Sequence, residues 1–234
     1  FAFIGFEDMA NVAEEVKRPK KTLPRAIILS VIITGIIYVL VALSVVRVVN
    51  WEELGLSLAP LADVANTSLG PSGGITLSVI ALFATASTVL ITLVAGARIL
   101  YGMGKSGSLP SFLSIVHSKT HTPWIAVIGI LFTSLAFAFI GDIVIVASIV
   151  VFAVVITFAM VNLAVILLRY VEPELERPFK TPLNIGKFPI LPLVGFGVTV
   201  YMAIQFDLQV ISVGLAIIAT GAIFYLVYHR KKKK

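Results

Sequence analysis

Six long apolar segments dominate this sequence and restrict the class of fold it can adopt. Each has the length of roughly 20 mostly apolar residues, or more, that a helix needs to cross about 30 Å of hydrocarbon. They occupy residues 26–49, 75–101, 123–140, 143–168, 188–206 and 208–228. With 59% hydrophobic and 13% charged residues, the chain has too little polar surface for a soluble globule. The sequence therefore predicts an all-α membrane protein, with residues 1–234 forming a single transmembrane domain.

The basic residues lie between the apolar segments and predict an orientation. If successive connections alternate between two sides, 17 Lys and Arg residues fall beside 1–25, 102–122, 169–187 and 229–234, and only Arg47 falls on the other side. The positive-inside rule makes the first side cytoplasmic, so we expect a multi-pass protein of the cell membrane with a cytoplasmic carboxyl terminus. This distribution also argues against nucleic acid as a partner, because the basic residues do not form one face.

Residues 1–16, FAFIGFEDMANVAEEV, predict a seventh helix that is interrupted near Gly5. Glu7 and Asp8 follow the interruption, and ionisable groups at membrane depth usually mark functional sites. A break persists in the membrane only where its freed backbone groups line a cavity or pack on protein. We expect a second half-helix from about Glu7 to Val16.

The predicted break has a chemical use, because half-helix ends meet the ligand in many transporters. The carbonyl groups of Phe1, Ala2 and Ile4 would hold a cationic group such as an ammonium. Phe1 and Phe3 are either ordinary packing aromatics or rings that close over a substrate.

Two interpretations of Glu7 stay open at this point. Its carboxylate could complement the dipole of the following half-helix, or it could bind a proton and gate a pathway. We favour the second because of the predicted depth of Glu7. We expect Glu14 and Glu15 to pair with the neighbouring Lys17 and Arg18.

The 75–101 segment carries hydroxyl groups in its middle, at Thr85, Ser87 and Thr88. These hydroxyls either bond back to preceding carbonyls in a tightly packed helix or contact a ligand. Residues 50–74 form either a short helix over the outer face or a plain linker. His117 and His121 lack a supporting metal-binding pattern, so no metal site is predicted.

Three stretches together resemble amino acid permeases of the amino acid–polyamine–organocation superfamily. The broken sixth helix of that family and its following loop resemble FAFIGFE and AEEVKRPKKTLPRAI. The end of the eighth helix resembles GARILYGMGKSGSLP, and the loop between the tenth and eleventh helices resembles LLRYVEPELERPFKTP. The resemblance implies a leucine-transporter-type fold with two inverted five-helix repeats and two further helices. This chain would supply helices six to twelve, that is, the second repeat plus helices 11 and 12, and the first repeat would be missing.

The resemblance also implies roles for individual residues. Phe1 falls at the aromatic position beside the substrate. Ala2, Ile4 and Gly5 fall at the backbone positions near the amino group of the substrate. Glu7 and Phe3 fall at gating or proton-linked positions. Ser87 and Thr88 fall at the eighth-helix position near the substrate, where Thr85, Ser87 and Thr88 could also form a sodium-like site.

The function implied is amino acid transport by alternating access, through proton-coupled symport or exchange, and not enzyme catalysis. The alternative is a membrane sensor or subunit that binds an amino acid without transporting it. The expected partners are the amino acid, a coupling proton or counter-substrate, membrane lipid and the missing repeat. No cofactor is expected.

Overall fold

The computed structural model of the chain describes residues 4–139, 142–186 and 188–232. Its α-helices are α1 Asp8–Asn11, α2 Pro19–Val48, α3 Trp51–Leu56, α4 Pro60–Leu69, α5 Pro71–Ser106, α6 Trp124–Ala138, α7 Ile143–Val171, α8 Ile190–Ala203 and α9 Leu208–Lys232. Short 3₁₀ turns cover Ala13–Glu15 and Ser111–Ser114. The strands β1 (Asn184–Ile185) and β2 (Phe188–Pro189) form an antiparallel hairpin between α7 and α8.

Within the described residues, four helices are long and apolar enough to cross a membrane. They are α2, α5, α7 and the Leu208–Tyr228 part of α9. The prediction of a helical, multi-pass membrane protein is confirmed. Local residues set the ends of these helices. Helix α5, for example, begins at Pro71 and ends before Gly107, which adopts a left-handed conformation.

Two of the predicted spans are shorter in the structure. Helices α6 and α8 have 15 and 14 residues, which gives lengths of only about 21–23 Å. The predicted 188–206 helix loses its start because Phe188 and Pro189 belong to β2, and its end because the chain turns after Ala203. The predicted end of 123–140 includes Ile140, which lies outside the described residues.

Residues 50–74 are mostly helical, so the linker alternative is wrong. Helix α3 is capped by the side chain of Asn50, which accepts from the Glu52 amide at 3.3 Å. Helix α4 packs along the start of α5 and also contacts α2. A Cβ atom on Gly74 would lie 1.9 Å from Oδ1 of Asn66, so α4 and α5 can meet this closely only because position 74 has no side chain.

The core lies where α7 meets α8 and α9. Ile149, Phe152 and Val155 of α7 form one buried cluster with Ala203 and Val210. Glycine permits the close contact between α7 and α9, because a Cβ on Gly214 would lie 2.4 Å from the ring of Phe152. This group of helices is therefore the best-packed part of the described chain.

Much of the remaining apolar surface has no protein cover. The chain exposes 16922 Å² at a mass of 25.1 kDa, whereas a soluble monomer of this mass exposes about 10,300 Å². Helix α2 has no buried residue among its 30 residues. Such surface requires lipid or further protein around it.

An ion pair places two connections at the same end of the molecule. Nζ of Lys20, at the start of α2, lies 3.9 Å from Oε2 of Glu176 in the loop after α7. Both side chains are largely exposed, so the pair adds little stability. Its position agrees with the alternation of sides that the sequence predicts for these two connections.

Candidate functional site

The described chain begins with non-helical backbone at Ile4 and Gly5, ahead of α1. Residues 4–16 are called the interrupted segment below, after the break that the sequence predicts near Gly5; the predicted first half-helix falls on residues 1–3, which lie outside the described residues. Ile4 and Gly5 are not helical, Phe6 and Glu7 form a turn, and α1 starts at Asp8. Gly5 has φ +127°, a value that side-chain-bearing residues rarely adopt. Within the part of the chain that the structure describes, no heavy atom lies within 4 Å of a Cβ placed there, so the requirement for glycine is conformational rather than steric.

The carboxylate of Glu7 occupies a position that the sequence did not predict. Its Oε2 accepts a hydrogen bond from the Gly5 amide at 2.9 Å, and the Gly5 carbonyl accepts from the Asp8 amide at 3.2 Å. Glu7 therefore satisfies the backbone donor of Gly5, a residue outside any described helix, and the Glu7 side chain is half-buried. Neighbouring Asp8 accepts from Asn11 at 3.2 Å.

The second half-helix is shorter than predicted. Instead of a helix from about Glu7 to Val16, the structure has the four-residue α1 and then the 3₁₀ turn Ala13–Glu15. Val12 separates them with φ −106° and ψ 14°, outside the helical region. The prediction of a single second half-helix is therefore wrong, because this backbone change divides it.

Two tertiary contacts position the interrupted segment. The rings of Phe6 and Phe158 lie 5.7 Å apart between centroids at an interplanar angle of 32°, which joins the turn to α7. At the other end of the segment, Glu15 forms an ion pair with Arg98 of α5. The predicted pairing of Glu15 with Lys17 or Arg18 is therefore wrong.

Helix geometry separates the three predicted hydroxyl residues of α5. Ser87 lies eleven residues before Arg98, which puts the two within about 20° around the helix and about 16 Å apart along it. Thr88 lies about 80° from Arg98, and Thr85 about 160° from Ser87. Ser87 thus shares the side of α5 that holds the interrupted segment, and Thr85 does not.

The hydroxyl of Thr88 is already bonded within its own helix. It donates to the Ala84 carbonyl at 3.0 Å, and Thr92 repeats the pattern on the Thr88 carbonyl at 2.9 Å. Thr85, Ser87 and Thr88 are all exposed. The three hydroxyls therefore do not share one face, and the sodium-like site has no support from this geometry.

Part of the predicted site cannot be placed. Phe1, Ala2 and Phe3 lie outside the described residues, and of the predicted carbonyl cradle only Ile4 is described. Across residues 4–139, 142–186 and 188–232, no group of three or more His, Asp or Glu side chains is arranged to hold a metal ion.

Sequence reasoning missed Phe6, Phe158 and Arg98. Phe6 and Phe158 resemble the many other apolar residues of their segments, so the sequence gives no signal for their contact. Arg98 did offer a signal, since a lone cation near the end of an apolar helix requires an acidic or polar partner.

The family model described as amino acid permease matches residues 1–228. The chain belongs to the amino acid permease family. It is thus a member of the amino acid–polyamine–organocation superfamily, as its sequence motifs predict. The relatives described below are named as transporters or permeases.

Individual relatives have different named substrates. The chain is similar to the branched-chain amino acid permease BcaP of Bacillus subtilis strain 168, with 29% identity across 100% of this chain and 50% of the relative. It is 27% identical to the methylthioribose transporter of the same organism, over 99% of this chain and 49% of the relative. The human cystine/glutamate transporter is 31% identical over 79% of this chain and 37% of its own length.

The permease chain spans about half the length of the first two relatives. In both of these comparisons almost the whole chain is aligned. The similarity therefore covers the interrupted segment and α2 to α9 together.

Proposed function

We propose that this chain carries part of the substrate pathway of a secondary transporter that moves amino acids by alternating access. One observation carries the proposal: non-helical backbone with a positive φ at Gly5, followed by α1 against α5 and by the contact of Phe6 with Phe158 of α7, in a chain of the amino acid permease family. Backbone of this kind is tolerated in a membrane protein where it lines a cavity or packs on protein.

The substrate site in this proposal combines the interruption with one side of α5. The backbone of Phe1, Ala2, Ile4 and Gly5 would receive the amino group, and Phe1 would pack beside the substrate. Ser87 supports this arrangement because it shares the Arg98 side of α5. Thr88 lies at the edge of that side.

The same proposal gives Glu7 a proton-linked role. The carboxylate of Glu7 accepts a hydrogen bond from the Gly5 amide at 2.9 Å, and this bond, called the clip below, holds the local backbone in its present conformation. A protonated carboxyl is a weaker acceptor, so proton binding would loosen the clip. Because the bonded amide adjoins the proposed substrate carbonyls, loosening it would couple a proton to substrate binding or release. Phe3 would share the gating role, as its place in the family motif implies.

In this proposal the described helices correspond to helices six to twelve of the fold, with the basic side and the carboxyl terminus in the cytoplasm. The other half of the pathway then comes from the first repeat. The uncovered surface of α2 and the exposed middle of α5 support this, since both offer apolar area for further protein or lipid. Transport is therefore expected of the intact permease.

The test uses the intact permease purified into liposomes. Radiolabelled leucine, glutamate, cystine and methylthioribose form the first panel, since relatives are named for branched-chain amino acids, cystine and glutamate, and methylthioribose. Uptake that follows an imposed pH gradient indicates proton symport, and uptake only into vesicles preloaded with unlabelled amino acid indicates exchange. Binding without flux under both conditions would replace the transporter by an amino-acid sensor.

Glu7→Gln is the decisive variant for the clip. A glutamine side chain is neutral, like the protonated carboxyl, and cannot change its protonation state, so we expect the clip to be weakened at every pH and the pH dependence of uptake to flatten. Glu14→Gln is the matched control, because it removes an exposed acid from the same segment. An unchanged pH profile in Glu7→Gln would remove the proton-linked role.

A further inference from the structure

A cationic pocket lies beyond the end of α7, away from the interrupted segment. It has a volume of about 230 Å³ and is lined by Arg169, Pro173, Arg177, Lys180, Asn184 and Gly186. A single water needs only about 10–15 Å³ measured in the same way. The pocket therefore has room for a larger polar group.

Two arginines build the walls of the pocket. Arg177 donates to four carbonyls, those of Leu168, Glu172, Pro173 and Leu175, at 2.7–3.1 Å. Two of these acceptors, Leu168 and Glu172, belong to the carboxyl end of α7 or the residue that caps it. Arg177 thereby fixes the loop against the helix end.

Arg169 attaches the β hairpin to the same helix. Its Nη1 donates to Oδ1 of Asn184 and its Nη2 to Oγ1 of Thr181, both at 2.7 Å. The hairpin turns at Gly186, with φ +61°. The opposite wall of the pocket is therefore held by direct side-chain bonds to α7.

The charges that face the pocket are all positive. Arg169, Arg177 and Lys180 line it, and among the described residues no acidic side chain does. In the same loop, Glu176 pairs with Lys20, and neither of these two residues lines the pocket. Within the described residues Lys180 has no hydrogen bond or ion pair, so its exposed ammonium is available to a ligand.

We propose that this pocket binds a phosphate-bearing anion at the membrane surface. Phosphate oxygens suit a site in which one free ammonium can donate hydrogen bonds and two guanidinium groups, already bonded to protein oxygens, supply fixed positive charge. Arg169 lies in the last turn of a membrane-spanning helix, which places the pocket at headgroup depth. Basic pockets at such helix ends bind anionic headgroups. The pocket is separate from the proposed substrate site.

The experiment measures thermal stabilisation of the intact permease in neutral detergent. The probes are dioctanoyl phosphatidic acid, dioctanoyl phosphatidylcholine with the same chains, and inorganic phosphate. We expect phosphatidic acid to raise the melting temperature, and phosphatidylcholine to raise it far less. Raising the salt concentration to 1 M should weaken the effect, since the Debye length falls from about 10 Å at 0.1 M to about 3 Å.

Lys180→Gln should raise the half-saturating concentration of phosphatidic acid about fivefold, which corresponds to the loss of one cation near an anionic headgroup. Lys180→Arg should restore binding. Lys119→Gln is the matched control because it removes an exposed lysine outside the pocket. Neither Lys180 nor Lys119 holds the fold together through a described bond, so the variants should fold.

The results also distinguish the source of the phosphate. Stabilisation by inorganic phosphate that depends on Lys180 supports a site for free phosphate, and stabilisation by phosphatidic acid alone supports a lipid headgroup site. Equal effects of phosphatidic acid and phosphatidylcholine would overturn the proposal. So would an equal loss in Lys119→Gln and Lys180→Gln, because both would then report only the general charge of the surface.

Discussion

The carboxylate of Glu15 binds the guanidinium group of Arg98, although the two residues are 83 positions apart in the chain. The bond joins the end of the interrupted segment to α5, on the side of α5 that also carries Ser87. The Arg98 side chain is 30% exposed and that of Glu15 is 65% exposed. The pair therefore matters more for position than for stability, and any movement of the interrupted segment must carry or break it.

Breaking this ion pair should change transport more than stability. For Glu15→Gln and Arg98→Gln we expect a melting change equivalent to at most about 1 kcal/mol, because exposed ion pairs contribute little. Uptake into liposomes should fall several-fold, since the segment loses its attachment to α5. The charge-reversed double variant Glu15→Arg, Arg98→Glu should recover part of the uptake. If neither single variant alters uptake, the pair has no part in the transport cycle.

Replacing Gly5 tests the conformational requirement at the interruption. Gly5→Ala should destabilise the local structure by about 1–3 kcal/mol, because alanine disfavours φ +127°. Gly102→Ala is the control: it is helical, it has equally open space around it, and it should be neutral or stabilising by up to about 1 kcal/mol. Hydrogen exchange of the segment and substrate affinity would measure the difference. Equal behaviour of the two variants would contradict the strained geometry.

The contact between Phe6 and Phe158 should be measurable as a coupling energy. A double-mutant cycle with Phe6→Leu and Phe158→Leu should give about 0.5–1.5 kcal/mol beyond the single effects. Thermal unfolding in detergent supplies the four free energies. Phe224→Leu combined with Phe6→Leu serves as the control, because Phe224 stacks on Tyr228 in α9 and not on Phe6. Additive effects for Phe6 and Phe158 would mean that the rings do not meet in the membrane.

Two glycines of α9 should respond in opposite ways to the same change. A Cβ on Gly214 would lie 2.4 Å from the ring of Phe152, whereas a Cβ on Gly221 meets nothing within 4 Å. Gly214→Ala should therefore destabilise the permease by about 1–3 kcal/mol through overpacking. Gly221→Ala should be neutral or slightly stabilising. Comparable melting temperatures for the two variants would argue against the close contact of α7 and α9.

Much of the architecture could be predicted because the signals are local. The transfer of apolar side chains into hydrocarbon adds up along a segment, so the runs containing α2, α5, α7 and α9 were found from composition alone. A glycine beside acidic residues in an apolar run also predicts a break near Gly5, and that break stays a prediction because its first half-helix lies outside the described residues. The family followed from three short motifs.

The failures share a different cause. Helix α8 starts later than predicted because Pro189 pairs with Asn184 in the β hairpin. The hydroxyls of Thr85, Ser87 and Thr88 are close in sequence, but the helix places Thr85 on the opposite side from Ser87. The close approach of α7 and α8 at Asn162 also has no signal in either local sequence. A Cβ on Gly195 would lie 2.9 Å from Oδ1 of Asn162.

The sequence by itself determined that the chain is a multi-pass membrane protein and where its long helices run. Only the tertiary structure decided that Glu7 bonds the Gly5 amide, that Phe6 meets Phe158, and that Glu15 reaches Arg98. The physical reason is that hydrophobic transfer and backbone conformation depend on neighbouring residues, whereas a specific bond depends on which helix faces arrive together after packing.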